Sequence, residues 1–336
     1  MATIDDVARL AGVSVATVSR VINNSDAVRK STADKVRGAI GQLSYTPNLA
    51  ARNLRRNESR IVMMLAPNFT NPYYTHILSG ICDMSRELGY ISLVYNTYDT
   101  VSLNRESLVK LIEENRVDGT ITLGCNKDDE WINDFKDEYP IVQCSEYARN
   151  ADVPHISVDN FRAANESVNY LMSLGHKRIG FMGSSNDFIS TKLRYEGYCK
   201  ALADAGLSLR SEYVVNGSVD YSFQSGKAAA EKLLSLNERP TAIFCVSDVL
   251  ALGTIAQAHE MGIDVPEQLS VTGFDDVDYT TMFHPHLTTV KTPCYELGQQ
   301  AMKMLQQYMQ KNTFERHVFL PHEFIERESC AAPFDG

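Results

Sequence analysis

Thr3-Ile-Asp-Asp-Val-Ala-Arg-Leu-Ala-Gly12-Val-Ser14-Val-Ala-Thr-Val-Ser-Arg20-Val-Ile22 reads as two short helices joined by a tight turn. The Thr3-to-Asp6 spacing is that of a capping box: the Thr3 hydroxyl meets the free amides of a first turn, and Asp6 is favoured at the positive helix end. A helix is predicted over about 4–11. Gly12 supplies the left-handed residue that ends it, Val13 buries beneath the turn, and Ser14 is placed to cap a second helix. At a helical advance of about 100° per residue, Val15, Ala16, Ser19 and Arg20 share one arc, and Thr17, Val18 and Val21 share the other. The first arc carries small residues, which let a backbone come close to a second molecule. It also carries one Arg, whose planar fork suits the O6 and N7 acceptors of guanine in a major groove.

Outward from this pair, Ser31-Thr-Ala-Asp34 is read as opening a third helix, with Val36, Ala39, Ile40 and Leu43 at core spacing and an end near Tyr45-Thr46-Pro47. Residues 48–56, with Asn48 as a cap, are helix-competent but shorter than the roughly 12 to 15 residues an isolated helix needs in water. Two readings stay open for this segment. It orders when Arg52, Arg55 and Arg56 meet phosphates and Leu54 enters a minor groove as an apolar wedge, or it is a polar linker with Leu54 packed on the body.

The net charge of −10 is unevenly spread. Residues 1–60 hold ten Lys and Arg against five Asp and Glu, a balance of +5, and the rest hold 22 against 37, a balance of −15. Phosphate contacts dominate nucleic-acid affinity, so a basic head on an acidic body places DNA binding in the head. A chain of 336 residues implies two or three units, and 44% hydrophobic with 22% charged residues is ordinary for a globular protein. The start lacks a basic, apolar secretory signal, and no segment nears about 18 apolar residues, so a cytoplasmic protein with no membrane contact is expected. Cys82, Cys125, Cys144, Cys199, Cys245, Cys294 and Cys330 stand singly and are expected to be reduced core fillers, with no metal site and no cofactor.

From Arg60 onward, short β-rich runs alternate with amphipathic stretches: 61–66, 92–95, 119–123 and 141–144, then, after Ile156-Ser-Val-Asp159, a second set at 179–182, 213–216, 242–246 and 270–274, with helices such as 225–234 and 249–261 between them. The alternation predicts an α/β body of two like, doubly wound parallel-sheet lobes. Ligands of open α/β sheets bind beyond the carboxyl ends of strands, which selects Asn71 to Tyr74, Asp159, Ser184 to Arg194, Tyr221, Ser247-Asp248 and Asp275. Rings beside carboxylates and an Arg suit a hydroxylated ligand. Plainer readings stand beside this one. Asp248 can cap a helix, Asp275 can bend a loop, and Arg194 can pair on a helix surface.

Ala2 to Asn23, followed by Tyr45-Thr-Pro-Asn48, resembles the head of the lactose and galactose repressor family, and the likeness extends over essentially the whole chain. The resemblance implies a helix-turn-helix DNA-binding domain at 1–46, a hinge helix at 47–58, and a periplasmic-binding-protein-like effector-binding and dimerisation body at 59–336. One lobe would take about 60–158 and 291–320, the other about 159–290 and 321–336. It also implies that Val15, Ala16 and Arg20 face bases, that Ser14, Ser19 and Asn23 touch phosphates, and that Leu54 is the wedge at the operator centre. The candidate DNA contacts are Ser14, Val15, Ala16, Thr17, Ser19, Arg20, Asn23, Ala51, Leu54 and Arg55. For the effector, the resemblance points to Tyr73, Arg194, Tyr221 and Asp275, and the full candidate set adds Tyr74, Asp159, Ser247 and Asp248. Val15-Ala16 is closer to the catabolite-control and purine-repressor branches than to the lactose repressor, and Ser247 replaces an amide there. Asp278-Tyr279 and Thr46 depart from the basic pattern that docks a phosphocarrier in the catabolite-control branch, which argues against a protein corepressor.

The expectation is therefore a homodimeric, cytoplasmic repressor of carbohydrate or nucleoside uptake and catabolism genes. It binds a palindromic double-stranded operator and is controlled by a sugar, sugar phosphate or nucleoside in the inter-lobe cleft. The chain ends without a leucine heptad, which favours a dimer over the lactose repressor's tetramer. No P-loop, GxSxG or HExxH motif supports an enzyme. The rival reading is a cytosolic sugar-binding module without DNA function.

Overall fold

The first helix, α1 (Ile4–Ala11), begins where the capping box puts it: the Thr3 hydroxyl accepts the Asp6 N–H at 3.3 Å, and the Asp6 carboxylate accepts the Thr3 N–H at 3.0 Å. Gly12 closes it at φ 65°, a conformation costly for any residue with a Cβ. The second helix, α2, spans Val15–Ile22, and the third, α3, spans Lys30–Gln42. In this computed structural model, residues 2–22, 28–45, 58–68, 70–97, 105–124, 132, 136 and 138–333 are described. The chain divides into two units, Met1–Ser59 and Arg60–Gly336. The core of the first unit is Val7, Ala8, Val18, Val21, Ala33, Val36 and Ala39. Small side chains let three short helices share it.

In the second unit, a six-stranded parallel sheet has the order β11-β5-β4-β3-β1-β2, from β1 (Ile61–Ala66), β2 (Ile91–Asn96), β3 (Gly119–Thr122), β4 (Ile141–Cys144), β5 (His155–Val158) and β11 (His317–Leu320). Along β1, Val62, Met64 and Ala66 join one core while Met63 and Leu65 join another, because side chains alternate across a sheet that is covered on both faces. The first core takes in α4 (Pro72–Glu87) and α10 (Cys294–Met309), and the second takes in α5 (Arg105–Asn115).

A second parallel sheet has the order β7-β6-β8-β9, from β6 (Ile179–Ser184), β7 (Val214–Gly217), β8 (Ala242–Cys245) and β9 (Ser270–Thr272). Its helices are α6 (Asn160–Ser173), α7 (Ile189–Asp204), α8 (Phe223–Leu234) and α9 (Asp248–Glu260). The antiparallel pair β10 (Thr289–Lys291) and β12 (Glu323–Ile325) completes the fold. The chain passes between the two lobes three times, after β5, after β10 and after β11.

Helices α4 and α10 touch backbone to backbone. A Cβ on Gly80 would lie 2.1 Å from the Tyr295 carbonyl oxygen, and one on Gly298 would lie 2.1 Å from that of Ile77. Rigid backbone cannot yield as a side chain can, so Gly298→Ala is expected to lower unfolding free energy by about 1–3 kcal/mol. Urea unfolding of the two proteins measures it, and an unchanged midpoint would refute the close approach.

His155 and His317 are register partners on β5 and β11, with their Nδ1 atoms 3.0 Å apart, and His155 stacks on Tyr147 at 4.1 Å. Burial first, and then the neighbouring His317, push the His155 imidazole down to about 4. The unfolded chain therefore binds a proton there that the folded chain refuses. The contribution to stability is whole above about pH 6.5 and is lost as pH falls towards 4. A His155→Gln variant is expected to show a flatter fall in stability across that window, as followed by denaturant midpoints at pH 7, 6, 5 and 4.

Candidate operator-reading helix and ligand cleft

Helix α2 is held at its start by Ser14, whose hydroxyl accepts the Thr17 N–H at 3.2 Å and lies 3.0 Å from the Thr17 hydroxyl. Val18 and Val21 turn into the core, so Ala16 and Arg20 face out, with Val15, Thr17 and Ser19 half-buried at the margins. No ion pair holds the Arg20 guanidinium among the described residues, whereas Arg9 pairs with Asp6 and Arg37 with Asp34, each at 3.4 Å. Arg20 thus projects a charge that the described residues of the head do not neutralise. Asn23, Ala51, Leu54 and Arg55 lie outside the described residues, as does Cys125. The other six cysteines are free thiols, buried or half-buried. The third helix corrects one expectation: its N-cap is Arg29, without a side-chain bond, and Ser31 falls inside the first turn.

In the second unit, a small cleft is lined by Asn71, Tyr73, Tyr74, Glu146, Ser190, Arg194, Tyr221, Ser247 and Asp275. Each follows the carboxyl end of a strand in the two parallel sheets, so the chemistry converges where the lobes meet. Arg194 is its buried cation. Its Nε donates to Asn160 Oδ1 at 2.9 Å, Nη1 donates to the Val246 carbonyl at 2.5 Å, Nη2 lies 3.6 Å from Asp275 Oδ1, and the guanidinium sits 3.5 Å over the Phe274 ring. At 3.6 Å the Asp275 contact is an ion pair and not a hydrogen bond, so among the described residues buried Oδ1 remains an acceptor without a donor. Asp275 also holds φ at 116°, a strained backbone of the kind that clusters at ligand sites.

Burial raises the Asp275 carboxyl, Arg194 opposes that, and Glu146 adds to it. Burial likewise raises Glu146, which accepts the Ser190 N–H at 3.1 Å and the Ser190 hydroxyl. The phenols of Tyr73 and Tyr74 are pushed well up by burial, and that of Tyr221 is pushed up to about 12. They therefore stay protonated as donors. Tyr73 shares a hydrogen bond with Ser145 at 2.5 Å, and Tyr221 shares one with Thr191 at 2.7 Å.

Two expected ligand contacts lie elsewhere. Asp159 caps α6 by accepting the Arg162 N–H at 2.9 Å, and it is exposed. Asp248 is neither the cap of α9, which is Ser247, nor part of the cleft wall. Its fully buried carboxylate accepts the Val277 N–H at 2.9 Å and the Thr289 hydroxyl at 2.5 Å, tying α9 to the turn after Asp275 and to β10. Glu146 was missed. The strand-end rule reaches it, since it lies two residues past β4, but its residue type alone does not set it apart from the other carboxylates that follow strands.

Residues 3–48 match the model for bacterial regulatory proteins of the lacI family, and residues 168–330 match the periplasmic binding protein-like domain. Over 312 residues, 92% of this chain and 90% of the other, the sequence is 38% identical to the HTH-type transcriptional repressor CytR of Escherichia coli K12. This chain belongs to the lacI family. It is also 36% identical to catabolite control protein A of Priestia megaterium, over 97% of this chain and 98% of that one. Among solved structures, a lac repressor dimer bound to operator and an anti-inducer superposes with a TM-score of 0.90 at 26% identity, covering 98% of this chain and 99% of the other. A CelR–cellobiose complex superposes with a TM-score of 0.74 at 28% identity, covering 98% and 100%. As a lacI-family protein, the chain is a DNA-binding transcription regulator with a small-molecule-binding body. These relatives are regulators and not enzymes. No helix among the described residues is long and apolar enough to cross a membrane.

Proposed function

We propose that the chain is a cytoplasmic, homodimeric repressor of sugar or nucleoside utilisation genes. In this reading α2 enters the major groove of each operator half-site, with Arg20 on bases and Ser14 and Ser19 on phosphates. The head is residues 1–46, the hinge helix 47–58, and the body the two lobes meeting at the cleft. Effector binding shifts the lobes about the three crossings and changes how readily both hinges order on DNA. A coupling of about 1–3 kcal/mol, or about 5- to 150-fold in affinity, is enough for control.

The observation that carries the ligand class is the buried Asp275 Oδ1, an acceptor with no donor among the described residues, in a cleft walled by three tyrosines. A hydroxyl or amino group of a neutral ligand satisfies it, while the rings cover the ligand's apolar faces. Arg194 is already committed to Asn160, Val246 and Asp275, and Glu146 adds a second carboxylate. Both favour a neutral sugar or nucleoside over a phosphorylated one. Support for the dimer comes from an apolar groove formed by α9 and the segment after Asp278–Thr281, lined by Leu252, Ile255 and Tyr279, with Met282 and Phe283 61% and 62% exposed. Large exposed apolar patches of this kind mark interfaces, and a second copy fits a palindromic site.

The test is an operator titration with and without a panel of neutral sugars and nucleosides. The expected result is that at least one shifts operator affinity several-fold, and no shift with any of them would refute ligand control through this cleft.

A further inference from the structure

We propose that His284, His286 and Glu328 form a surface site for a divalent first-row cation, with zinc the best match. One ligand atom from each residue lies within 4.8 Å of the other two. His284 Nδ1 is 3.1 Å from Glu328 Oε2, and His286 Nδ1 is 3.5 Å from Glu328 Oε1. Zinc bonds of about 2.0–2.1 Å in a tetrahedron put neighbouring ligand atoms about 3.3 Å apart. Each imidazole nitrogen therefore stands near that spacing from one of the two Glu328 oxygens, and the set of one atom per residue closes within 4.8 Å.

The two imidazoles stack at 4.4 Å with planes 27° apart, so both present Nδ1 to the same carboxylate. Main-chain bonds hold the two segments together. The His286 N–H donates to Glu328 Oε2 at 3.0 Å, and the His286 carbonyl accepts the N–H groups of Glu328 at 3.0 Å and Ser329 at 3.1 Å. Such outer bonds fix a carboxylate's aim and normally accompany metal ligands.

Two imidazoles and one carboxylate suit zinc with an open fourth position, whereas calcium and magnesium seek all-oxygen shells. The cluster escapes notice in the sequence because Glu328 follows His286 by 42 residues. His284 and Glu328 also line the apolar groove, so a bound ion would tie the segment after Phe283 to the C-terminal stretch at the groove's rim.

The same positions serve plain ion pairs if the imidazoles are protonated, and zinc titration at pH 7.5 separates the two cases. Full-length, untagged protein, stripped with a chelator, is titrated with zinc in competition with a chromogenic chelator. One ion per chain with micromolar affinity is expected, with at least about a ten-fold loss in His284→Ala and in Glu328→Gln. No uptake of magnesium is expected, and His259→Ala, on the same groove, should bind zinc as the parent does. The side chains of His284 and Glu328 are 77% and 52% exposed, so both variants keep the fold, which circular dichroism checks. No zinc uptake at submillimolar concentration, or uptake indifferent to both substitutions, overturns the site.

Discussion

Replacing Arg194 with Met is expected to lower unfolding free energy by about 3–5 kcal/mol at neutral pH and to abolish any effector response. Met keeps the stem and much of the volume, so the loss reports the guanidinium. Without it, the Asn160 oxygen and the Val246 carbonyl lose their donors, and the Asp275 carboxylate stays buried with no opposing charge. A buried charge without a partner escapes its desolvation cost by taking a proton, and Asp275 is already raised by burial, with Arg194 the cause that lowers it. Removing Arg194 raises it further.

A carboxyl whose folded value lies above its unfolded value contributes stability that is complete below about pH 4 and is lost as pH rises through the folded value. The Arg194→Met penalty should therefore be larger at pH 8 than at pH 5. Asp275→Asn, which keeps the size and tolerates the positive φ, should recover part of it at pH 8 in the double variant. Urea unfolding of the four proteins at both pH values measures this. A penalty that is independent of pH and additive with Asp275→Asn would show that the ion pair does not govern the cleft.

What was legible beforehand, and what was not, follows from where each signal resides. Ile61–Ala66 stands out because a strand buried on both faces needs an unbroken apolar run between polar turns. Thr3 and Gly12 stand out because caps are local. Side-chain aim is not local. Asp159 and Asp248 both follow strands, as Asp275 does, yet one caps its own helix and the other faces Thr289, 41 residues on. A residue pattern cannot distinguish a carboxylate used for cohesion from one left open to a ligand, because the partner is set by packing. Arg194 shows the reverse case. Surface pairing is the usual fate of an Arg, and only the convergence of Asn160, Val246, Phe274 and Asp275 reveals a buried hub. Ser31 has the residue type of a cap, but the N-cap is Arg29, two residues earlier, and the main-chain bonds begin at the Arg29 carbonyl.

The other large effect belongs to the head. Arg20→Ala should leave the fold intact, because Arg20 is exposed and the three-helix core is built from Val7, Val18, Val36 and their neighbours. One bidentate Arg–guanine contact is worth about 1–3 kcal/mol of discrimination. A dimer loses it in both half-sites, so specific operator affinity should fall by about 2–6 kcal/mol, or about 30-fold to more than 10,000-fold. Non-specific affinity should fall far less, since it rests on phosphate neutralisation summed over many charges, and Arg20 is one of ten Lys and Arg in residues 1–60. The salt slope separates the two roles. A base contact changes affinity at one sequence position with the slope nearly kept, whereas a phosphate contact weakens all sequences alike and reduces the slope by about one. Fluorescence titrations of operator and scrambled duplexes across a salt series read both quantities. Equal losses on the two duplexes would place Arg20 on the backbone and move base reading to another residue of α2. An unchanged operator affinity would remove α2 from the groove altogether.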